Sequence, residues 1–576
     1  MQVYGTDLRS LRRYPLVNRG APCRLALALA VALAGSPLPG AVDSGVEEAR
    51  PVTAPAIDSA GLAGLAARGY RVGQIHLDLR KVFDPKREGG QIWLFKMANR
   101  IHRVTRPQVV ERMLLFKPGD PISPAAIAES ERLLRASRIF YDARVVPVRV
   151  GEDAVDFEVQ TRDVWSLTGG VGVGRSGGVN TFHVEVEDSN LLGYGKDLQF
   201  RYQSNVDRDL GYIRYRDANL LGSRVRLDGE FAQASDGQER RLAIDRPFYS
   251  LDTRWGAGVA AYDVVRIESF YQLGQVRSKY GKEAKFGEIW GGWSRGLREG
   301  ETTRWRGGWT YDFNDFYRAR RNAPRPGPIP PDRTLSWIWV EGEWIRDGFE
   351  VTHDLDKIER SEDLNLGAEG TFRFGRSFTG LRATYDEWVM TGSLSDGWRW
   401  GERHLLLGSA TLWGRVRDGA ATDSIVNGTA RYFWRDFANG RLLVAAQGAI
   451  AHDLDPDRQL LLGGDNGLRG YPLRYQQGDR LALFTLEQRV YRDREYFHLF
   501  RFGAAAFFDV GRAWDATGLR RNGDVDGWLR DIGVGLRVSS TRSAGAGMIH
   551  FDIAYPLDGP NDISKVQYLV STTDTF

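Results

Sequence analysis

The stretch Leu461–Tyr471, LLGGDNGLRGY, decides the fold, because it sets four glycines around a single arginine, Arg469, and is followed by two alternating segments. In LALFTLEQRVY (Leu481–Tyr491), Glu487 lies on one face, and the opposite face is made by Ala482, Phe484, Leu486 and Val490. In AAAFFDVGRAW (Ala504–Trp514), Asp509 points away from the apolar face. Alternation with a period of two predicts strands that each have one apolar side. We interpret the apolar faces as lipid-facing surface and the others as the wall of a polar interior.

The glycine-rich stretch is predicted to be a long loop that folds into this interior, where Arg469 pairs with Asp509, with Glu487 or with both. Gly467 and Gly470 are among the glycines that let its backbone pack closely and adopt positive φ. A charge held inside a barrel is costly unless it is paired and hydrogen-bonded, so removing one partner should cost more than the pair contributes. The alternative is that these are unrelated loop and strand charges.

Composition favours a membrane barrel. The 576 residues include Gly 67, Trp 17 and Tyr 22, and the mean hydropathy is −0.38. No apolar run reaches the roughly twenty residues that a membrane helix needs, whereas barrel strands only alternate and aromatic residues girdle both membrane interfaces. The net charge of +4 is small for this length and gives no indication of nucleic-acid binding. We therefore predict a mainly β fold, a transmembrane antiparallel β-barrel, rather than a soluble sandwich.

The amino-terminal segment has the pattern of a secretory signal. Residues 1–41 contain an arginine-rich start, a short apolar run at Leu25–Ala34 and the small residues SPLPGA. Cleavage after Ala41 would remove Cys23, the only cysteine. Residues 42–69 are rich in Ala, Gly, Pro and Ser and are predicted to be a mobile linker.

Residues 70–164 are predicted to form a small α/β unit with the element order βααββ. Alternating apolar residues suggest a first strand, and Pro107 begins a helix that KPGDP ends. Ser123 can cap a second helix that has Pro124 at its first position. The segments ARVVPVRV and AVDFEVQTRDVW then read as two strands joined by a turn.

From residue 165 to 576 the pattern is one of strands and turns. DLQFRYQ and MIHFDIAY alternate clearly, and NLLG occurs at two strand ends, Asn190–Gly193 and Asn219–Gly222. The polar connection Arg318–Arg333 fits an external loop. The chain ends at Phe576, with Tyr568 in phase with it.

These segments resemble a known family. The α/β unit is similar to a POTRA (polypeptide-transport-associated) domain, especially in FKPGDPIS and RIFYDARV. LRGY (Leu468–Tyr471) resembles the VRGF or VRGY loop tip of outer-membrane assembly and translocation barrels, and FFDVG (Phe507–Gly511) resembles their partner-strand motif. That superfamily includes the barrel-assembly insertase, the translocation-assembly insertase and the two-partner-secretion transporters. The resemblance covers residues 70–576.

The resemblance implies roles for particular residues. It makes Arg469 the loop arginine, Asp509 its partner and Glu487 a second acidic group, with Gly467, Gly470 and Tyr471 at the loop tip. Phe576, with Tyr568, would form the carboxyl-terminal targeting signal. It also implies a barrel of about sixteen strands after one POTRA-like domain. The alternating segments number somewhat more than sixteen, so either some form hairpins outside the membrane or the barrel differs.

Other motifs are weaker. Glycines at positions 169, 170, 172 and 174 of the first barrel strand give room for packing or curvature, or else make a weak seam with the last strand. DLDPD (453–457) resembles the start of a calcium loop, but Arg458 replaces the required glycine, so a solvated loop is the better interpretation. No HExxH or GxSxG motif occurs. We therefore expect no catalytic residues, no metal and no cofactor, and a protein that is not an enzyme.

We expect an outer-membrane assembly factor or polypeptide translocator, with its amino-terminal domain in the periplasm of a Gram-negative cell. Its partners would be an unfolded or strand-forming client polypeptide, outer-membrane lipid and a periplasmic accessory protein, but no nucleic acid. One alternative is a passive outer-membrane pore or structural surface barrel. Another is a soluble secreted β-protein, which would be found in the medium rather than the membrane.

Overall fold

The computed structural model describes residues 59–82, 103–319, 329–352, 355, 361–437, 439–492, 494–497, 499–517, 522–540, 548–560 and 563–573. The predicted signal at 1–41, most of the predicted linker and the terminal Phe576 lie outside these residues.

The first unit is an α/β domain. Its elements are α1 (Ser59–Ala67), β1 (Arg71–Arg80), α2 (Pro107–Met113), α3 (Pro124–Ala136), β2 (Phe140–Val150) and β3 (Ala154–Asp163). The sheet order is β1-β3-β2, with β3 parallel to β1 and antiparallel to β2. As predicted, Pro124 is at the start of α3 and the Ser123 hydroxyl accepts a hydrogen bond from the Ala126 amide at 3.3 Å. One apolar core, in which Phe140 and Phe157 are fully buried, joins sheet and helices.

The predicted linker at 42–69 is wrong at its carboxyl-terminal end. Helix α1 lies in this range, and its Leu62 and Leu65 are buried in the core of the α/β unit. Two leucines three residues apart fall on one side of a helix. The alanines and glycines around them hid this signal in the composition.

The rest of the described chain is built from strands. In chain order they are β4 (Leu167–Ser176), β5 (Val179–Asp188), β6 (Lys196–Ser204), β7 (Asp209–Asp217), β8 (Arg226–Ala234), β9 (Gly237–Arg246), β10 (Trp255–Gln272), β11 (Gln275–Ser294), β12 (Glu301–Arg318), β13 (Arg333–Arg346), β14 (Phe349–Thr352), β15 (Glu362–Asn365), β16 (Glu369–Ser377), β17 (Glu387–Trp400), β18 (His404–Arg417), β19 (Ala420–Trp434), β20 (Gly440–His452), β21 (Leu460–Leu462), β22 (Gln476–Gly478), β23 (Arg480–Tyr491), β24 (Phe500–Trp514), β25 (Leu529–Ser540), β26 (Met548–Pro556) and β27 (Gln567–Thr573).

Among the described residues, 20 of these strands close into one antiparallel barrel. The expectation of about sixteen strands is therefore wrong. Only β14–β15 and β21–β22 lie outside the ring, as two-stranded hairpins. The surplus of alternating segments in the sequence thus reflects a larger barrel, because nearly every segment is part of the wall.

The barrel wall is apolar outside and polar inside. On β23, Phe484 and Leu486 are about half exposed on the outer face, whereas Thr485 and Glu487 are buried toward the interior. A cluster of exposed tryptophans marks one end of the barrel, and its members are Trp255, Trp293, Trp305, Trp398, Trp400 and Trp434. An outer apolar band with an aromatic girdle is the surface that a lipid bilayer requires.

The two ends of the barrel carry different structures. The end that carries the exposed tryptophans, here called the near end, contacts the α/β unit. The Arg106 amide donates to the Gly193 carbonyl at 3.0 Å, and Arg224 Nη2 donates to the Leu114 carbonyl at 3.0 Å. Gly193 and Arg224 lie in or beside the two NLLG turns, which join β5 to β6 and β7 to β8 as predicted. The far end carries the connection between β20 and β23, which contains the LRGY stretch.

Candidate functional site: the inward loop and its anchors

The connection 453–479, here called the inward loop, lies inside the barrel. Its two arms pair as β21 and β22, with Leu461 opposite Gln477. Leu462, Leu468 and Tyr471 are fully buried, in a cluster that includes Trp339 of the wall. This agrees with the loop position expected from the sequence. Burial of its apolar residues explains why a glycine-rich segment holds one conformation.

Arg469 lies at the tip of the inward loop and is bound by carboxylates of the wall. Its Nε donates to Asp509 Oδ2 at 2.7 Å and its Nη2 to Asp509 Oδ1 at 3.0 Å. Its Nη1 donates to Glu487 Oε2 at 2.7 Å, and Asp552 Oδ2 lies at 3.5 Å. The structure therefore brings Arg469 to both of the partners suggested by the sequence. A two-pronged guanidinium–carboxylate contact fixes orientation as well as charge.

The surroundings of Arg469 complete the contact. The guanidinium carbon lies 3.3 Å from the centre of the Phe507 ring, which supports a cation–π interaction. Glu487 also accepts hydrogen bonds from Arg489 at 2.8 Å and from Arg537 at 3.0 Å. Because these groups are buried, their charges are stabilised mainly by one another, and removal of one leaves its partner with less compensating charge.

The loop tip requires glycine at two positions. At Gly470, a Cβ atom would lie 2.5 Å from the Cβ of Asp531 on β25. At Gly467, φ is +125° and a Cβ atom would lie 2.2 Å from the Leu483 side chain. Tyr471 closes the tip, since its hydroxyl lies 2.8 Å from the Arg530 carbonyl and 3.1 Å from the Asp558 carbonyl. These residues hold the tip against β25 and β26.

The first arm of the inward loop is anchored by acidic residues, so the interpretation of DLDPD as a solvated loop is wrong. Asp457 is 6% exposed and accepts hydrogen bonds from Lys282 Nζ at 3.0 Å and from Arg333 Nη1 at 2.7 Å. Asp455 accepts one from Arg415 Nη2 at 2.6 Å. Burial alone would raise the pKa of Asp457, but Lys282 and Arg333 hold it below the usual range. The acidic run was visible in the sequence, but its cationic partners lie on β11, β13 and β18.

The second arm is anchored by Arg474 at the far end. Its two Nη atoms donate to the two carboxylate oxygens of Asp207, both at 2.8 Å, and Asp207 lies in the turn between β6 and β7. The Tyr271 hydroxyl donates to Asp207 Oδ1 at 2.6 Å. Desolvation would raise the pKa of Asp207, but the hydrogen bonds and charge of Arg474 lower it to about 2. No pattern in the sequence indicates this pair, because its members are 267 residues apart.

The inward loop also contacts the first barrel strand. The Ser176 hydroxyl, at the end of β4, donates to the Gly464 carbonyl at 2.5 Å. The following turn residue, Gly177, lies against Leu473 of the loop. The loop is therefore bound to β4 on one side of the barrel closure and, through Arg469, to strands β23 and β24 on the other.

The closure between β4 and β27, here called the seam, is short. Within the described residues, one pair joins the two strands, Arg175 opposite Val570. By contrast, every residue of β4 has a partner on β5, and every residue of β27 has one on β26. A strand edge with few ladder contacts is the place where a sheet opens or adds another strand. Tyr568 of β27 is 54% exposed on the outer face of the seam.

A second connection enters the near end of the barrel. Leu355, between β14 and β15, packs on Leu405, Phe433 and Leu443 of the wall. Its carbonyl lies 3.3 Å from Arg489 Nη1, and Arg489 in turn contacts Glu487 of the Arg469 site.

The α/β unit is held against this near-end connection. Arg135 of α3 donates from Nε and Nη2 to the two oxygens of Asp363 at 2.8 and 2.6 Å. Glu129 of α3 accepts from the Leu251 amide at 2.7 Å, and burial raises the pKa of its carboxyl above the usual value. Contacts thus run continuously from α3 to the loop tip.

Two features are absent from the described part of the chain. It contains no group of three or more His, Cys, Asp and Glu side chains arranged to hold a metal ion. None of its helices is long and apolar enough to cross a membrane.

Comparison with solved structures finds similar chains at low sequence identity. A crystal structure of BamA from Haemophilus ducreyi lacking POTRA domains 1–3 is similar, with 12% identity, a TM-score of 0.38, and 87% of this chain and 84% of that chain covered. CdiB from Acinetobacter baumannii gives 10% identity, a TM-score of 0.42, and coverages of 87% and 73%. CdiB from Escherichia coli gives 13% identity, a TM-score of 0.43, and coverages of 87% and 76%.

All three identities are 13% or lower and all three TM-scores are 0.43 or lower. Matches at this level carry no argument, so function has to be inferred from the site. No protein-family model matches the chain, and no curated protein sequence matches it.

Proposed function

We propose that the protein is an outer-membrane assembly factor or polypeptide translocator, in which the inward loop clasps the seam and the seam receives a client strand. The observation that carries this proposal is the position of the loop across the seam. On one side it is bound to Ser176 and Asp207, and on the other to Asp509 and Glu487. The seam itself has a single strand pair among the described residues.

A clasp of this kind makes the closed barrel depend on the loop. Few backbone hydrogen bonds oppose separation of β4 from β27, so side-chain contacts of the loop become a main restraint. Once separated, either strand would expose unpaired N–H and C=O groups, which an extended polypeptide can satisfy by strand addition. A client that forms strands would then drive the process by its own pairing, without a nucleotide.

The α/β unit supplies a first contact for the client in this proposal. We assign it the role of a POTRA-like periplasmic domain, because the βααββ order that follows α1 and the three-stranded sheet fit that domain. Strands β1 and β2 are the edge strands of that sheet. An edge strand can bind an extended client segment or an accessory protein through backbone hydrogen bonds.

A seam disulfide tests the proposal. Arg175 and Val570 are directly opposite, which is a geometry that a disulfide can join. In a Cys23→Ser background, the double variant Arg175→Cys/Val570→Cys should lose client insertion or export when oxidised and regain it on reduction. The matched control is Val173→Cys/Phe182→Cys, which joins β4 to β5 without crossing the seam. Full client handling by the oxidised seam variant would contradict the proposal.

The alternative function, a passive pore, predicts a different response. A pore depends on an open lumen and is indifferent to the seam, so the oxidised seam variant would keep its normal solute conductance. Conductance and client handling are therefore measured on the same oxidised sample. Loss of client handling with unchanged conductance favours the translocator or assembly factor, whereas no change in either quantity favours the pore.

A further inference from the structure

We propose that the outer face of the seam binds an anionic phospholipid, with its phosphate held by Arg175 and an acyl chain in a cavity between β4, β5, β6 and β27. The inference rests on the proposed membrane location, but not on the proposed client.

The cavity lies on the side of the wall that faces lipid. Its volume is about 490 Å³, within the range of roughly 300–1,000 Å³ of small-molecule sites. Val173 and Phe182, which line it, are exposed on the outer face, and Val570 adds a third apolar side chain from across the seam. An alkyl chain that fills this open cavity makes dispersion contacts along its lining and is stabilised by them.

Arg175 gives the cavity its charge. It follows the outward-facing Val173 by two residues, and in a strand this places both side chains on the same face. Its hydrogen-bond partner is the neutral side chain of Asn180. No carboxylate among the described residues forms an ion pair with Arg175, in contrast to Arg469 in the interior. A guanidinium on a lipid-facing surface is costly without an anion, and a lipid phosphate is the anion that a membrane supplies.

The arrangement of polar and apolar groups fits one amphiphile. Arg175, Asn180 and Ser204 supply polar groups to the lining of the cavity, and Val173, Phe182 and Val570 supply apolar ones. An anionic phospholipid satisfies both sets at once. Inorganic phosphate would satisfy only the first set, and a neutral lipid would leave Arg175 without an anion. The bound lipid would occupy the outer face of the closed seam.

A photo-crosslinking experiment tests the site. The protein is placed in phosphatidylcholine nanodiscs with a minor fraction of phosphatidylglycerol that carries a photoactivatable acyl chain, and labelled peptides are mapped by mass spectrometry. Labelling is expected to concentrate on the cavity strands β4, β5 and β27. Arg175→Gln should reduce it roughly fivefold, the ratio that corresponds to about 1 kcal/mol for one cation near a lipid surface. Val173→Trp, which fills the cavity, should reduce it while Arg175 is retained.

Arg240 is the matched control. It is exposed on β9 and donates to a neutral amide, Gln238, but it does not line the cavity. Arg240→Gln should leave the labelling of the cavity strands unchanged. Even labelling around the barrel, or equal labelling of Arg175→Gln and the parent, would overturn the lipid site while leaving the membrane barrel intact. Failure of the protein to enter nanodiscs at all would contradict the membrane location as well.

Competition with excess inorganic phosphate distinguishes a site for a lipid phosphate from a site for free phosphate. If the acyl chain contributes to binding as proposed, phosphate alone should not displace the label. Full displacement by phosphate would show an adventitious ion only and would overturn the assignment to a lipid.

Discussion

Arg469, at the tip of the inward loop, makes a two-pronged contact of 2.7 and 3.0 Å with Asp509 on β24, across 40 residues of sequence. Both side chains are almost fully excluded from solvent. The contact binds the inward loop to β24, near the last barrel strand. The same loop also contacts the first barrel strand, β4, through Ser176. The inward loop therefore connects the two sides of the seam from inside the barrel.

Loss of the loop arginine should release the loop. Arg469→Ala leaves Asp509 buried without its arginine and removes one of the three arginines that contact Glu487. Breaking a buried pair in this way costs on the order of 3–5 kcal/mol. We expect loss of client handling and faster proteolysis within 453–479, while the barrel itself remains folded. Arg469→Lys keeps the charge but not the two-pronged geometry, so it should restore only part of the activity. Wild-type protection of the loop in Arg469→Ala would contradict its role as a clasp.

The acidic first arm should matter at Asp457 but not at Asp453. Asp457→Asn removes the carboxylate that faces Lys282 and Arg333, whereas Asp453 in the same DLDPD run is exposed. We expect Asp457→Asn to lower the stability of the loop by roughly 3 kcal/mol, measured as increased proteolysis of the loop. Asp453→Asn should behave as the parent protein does. Equal effects of the two substitutions would show that the anchor is not specific.

The contact between Arg474 and Asp207 should depend on acidic pH. The pKa of Asp207 is lowered to about 2, from an ordinary value near 3.8. The carboxylate therefore contributes stability that is fully present above about pH 4 and is lost as the pH falls through 2. Pepsin cleavage of the inward loop should rise across this window. Asp207→Asn should show raised cleavage already at pH 4 and a flatter profile below it, and an unchanged profile would refute this account.

Docking of the α/β unit should depend on Arg135. Arg135→Asp places a like charge against Asp363, and it should increase hydrogen exchange in α3 and β15. The double variant Arg135→Asp/Asp363→Arg should recover part of the protection, because it restores the pair with reversed charges. Arg144→Ala is the control, since Arg144 forms an exposed ion pair with Asp142 on β2, and exposed pairs contribute little.

Sequence patterns predicted those features of the fold that depend on residues close together in the chain. Alternation identified the wall strands, and the glycines and arginine of LRGY, followed by inward-facing Glu487 and Asp509, identified the pair at the loop tip. Alternation also indicated more than sixteen strands, and the expected sixteen was wrong because it came from a resemblance rather than from the pattern. The anchors at Asp457 and Asp207 were missed because each joins residues more than a hundred positions apart. Many arginines face the barrel interior, and the sequence pattern does not distinguish which of them pairs with a given aspartate.

The most direct measurement is the distance across the seam with and without the clasp. Spin labels on Val173→Cys of β4 and Tyr568→Cys of β27, in a Cys23→Ser background, report that distance by pulsed electron paramagnetic resonance. We predict one short, narrow distance distribution in the parent protein and a longer, broader one when Arg469→Ala is added. Identical narrow distributions in the two proteins would contradict the claim that the inward loop holds the seam closed.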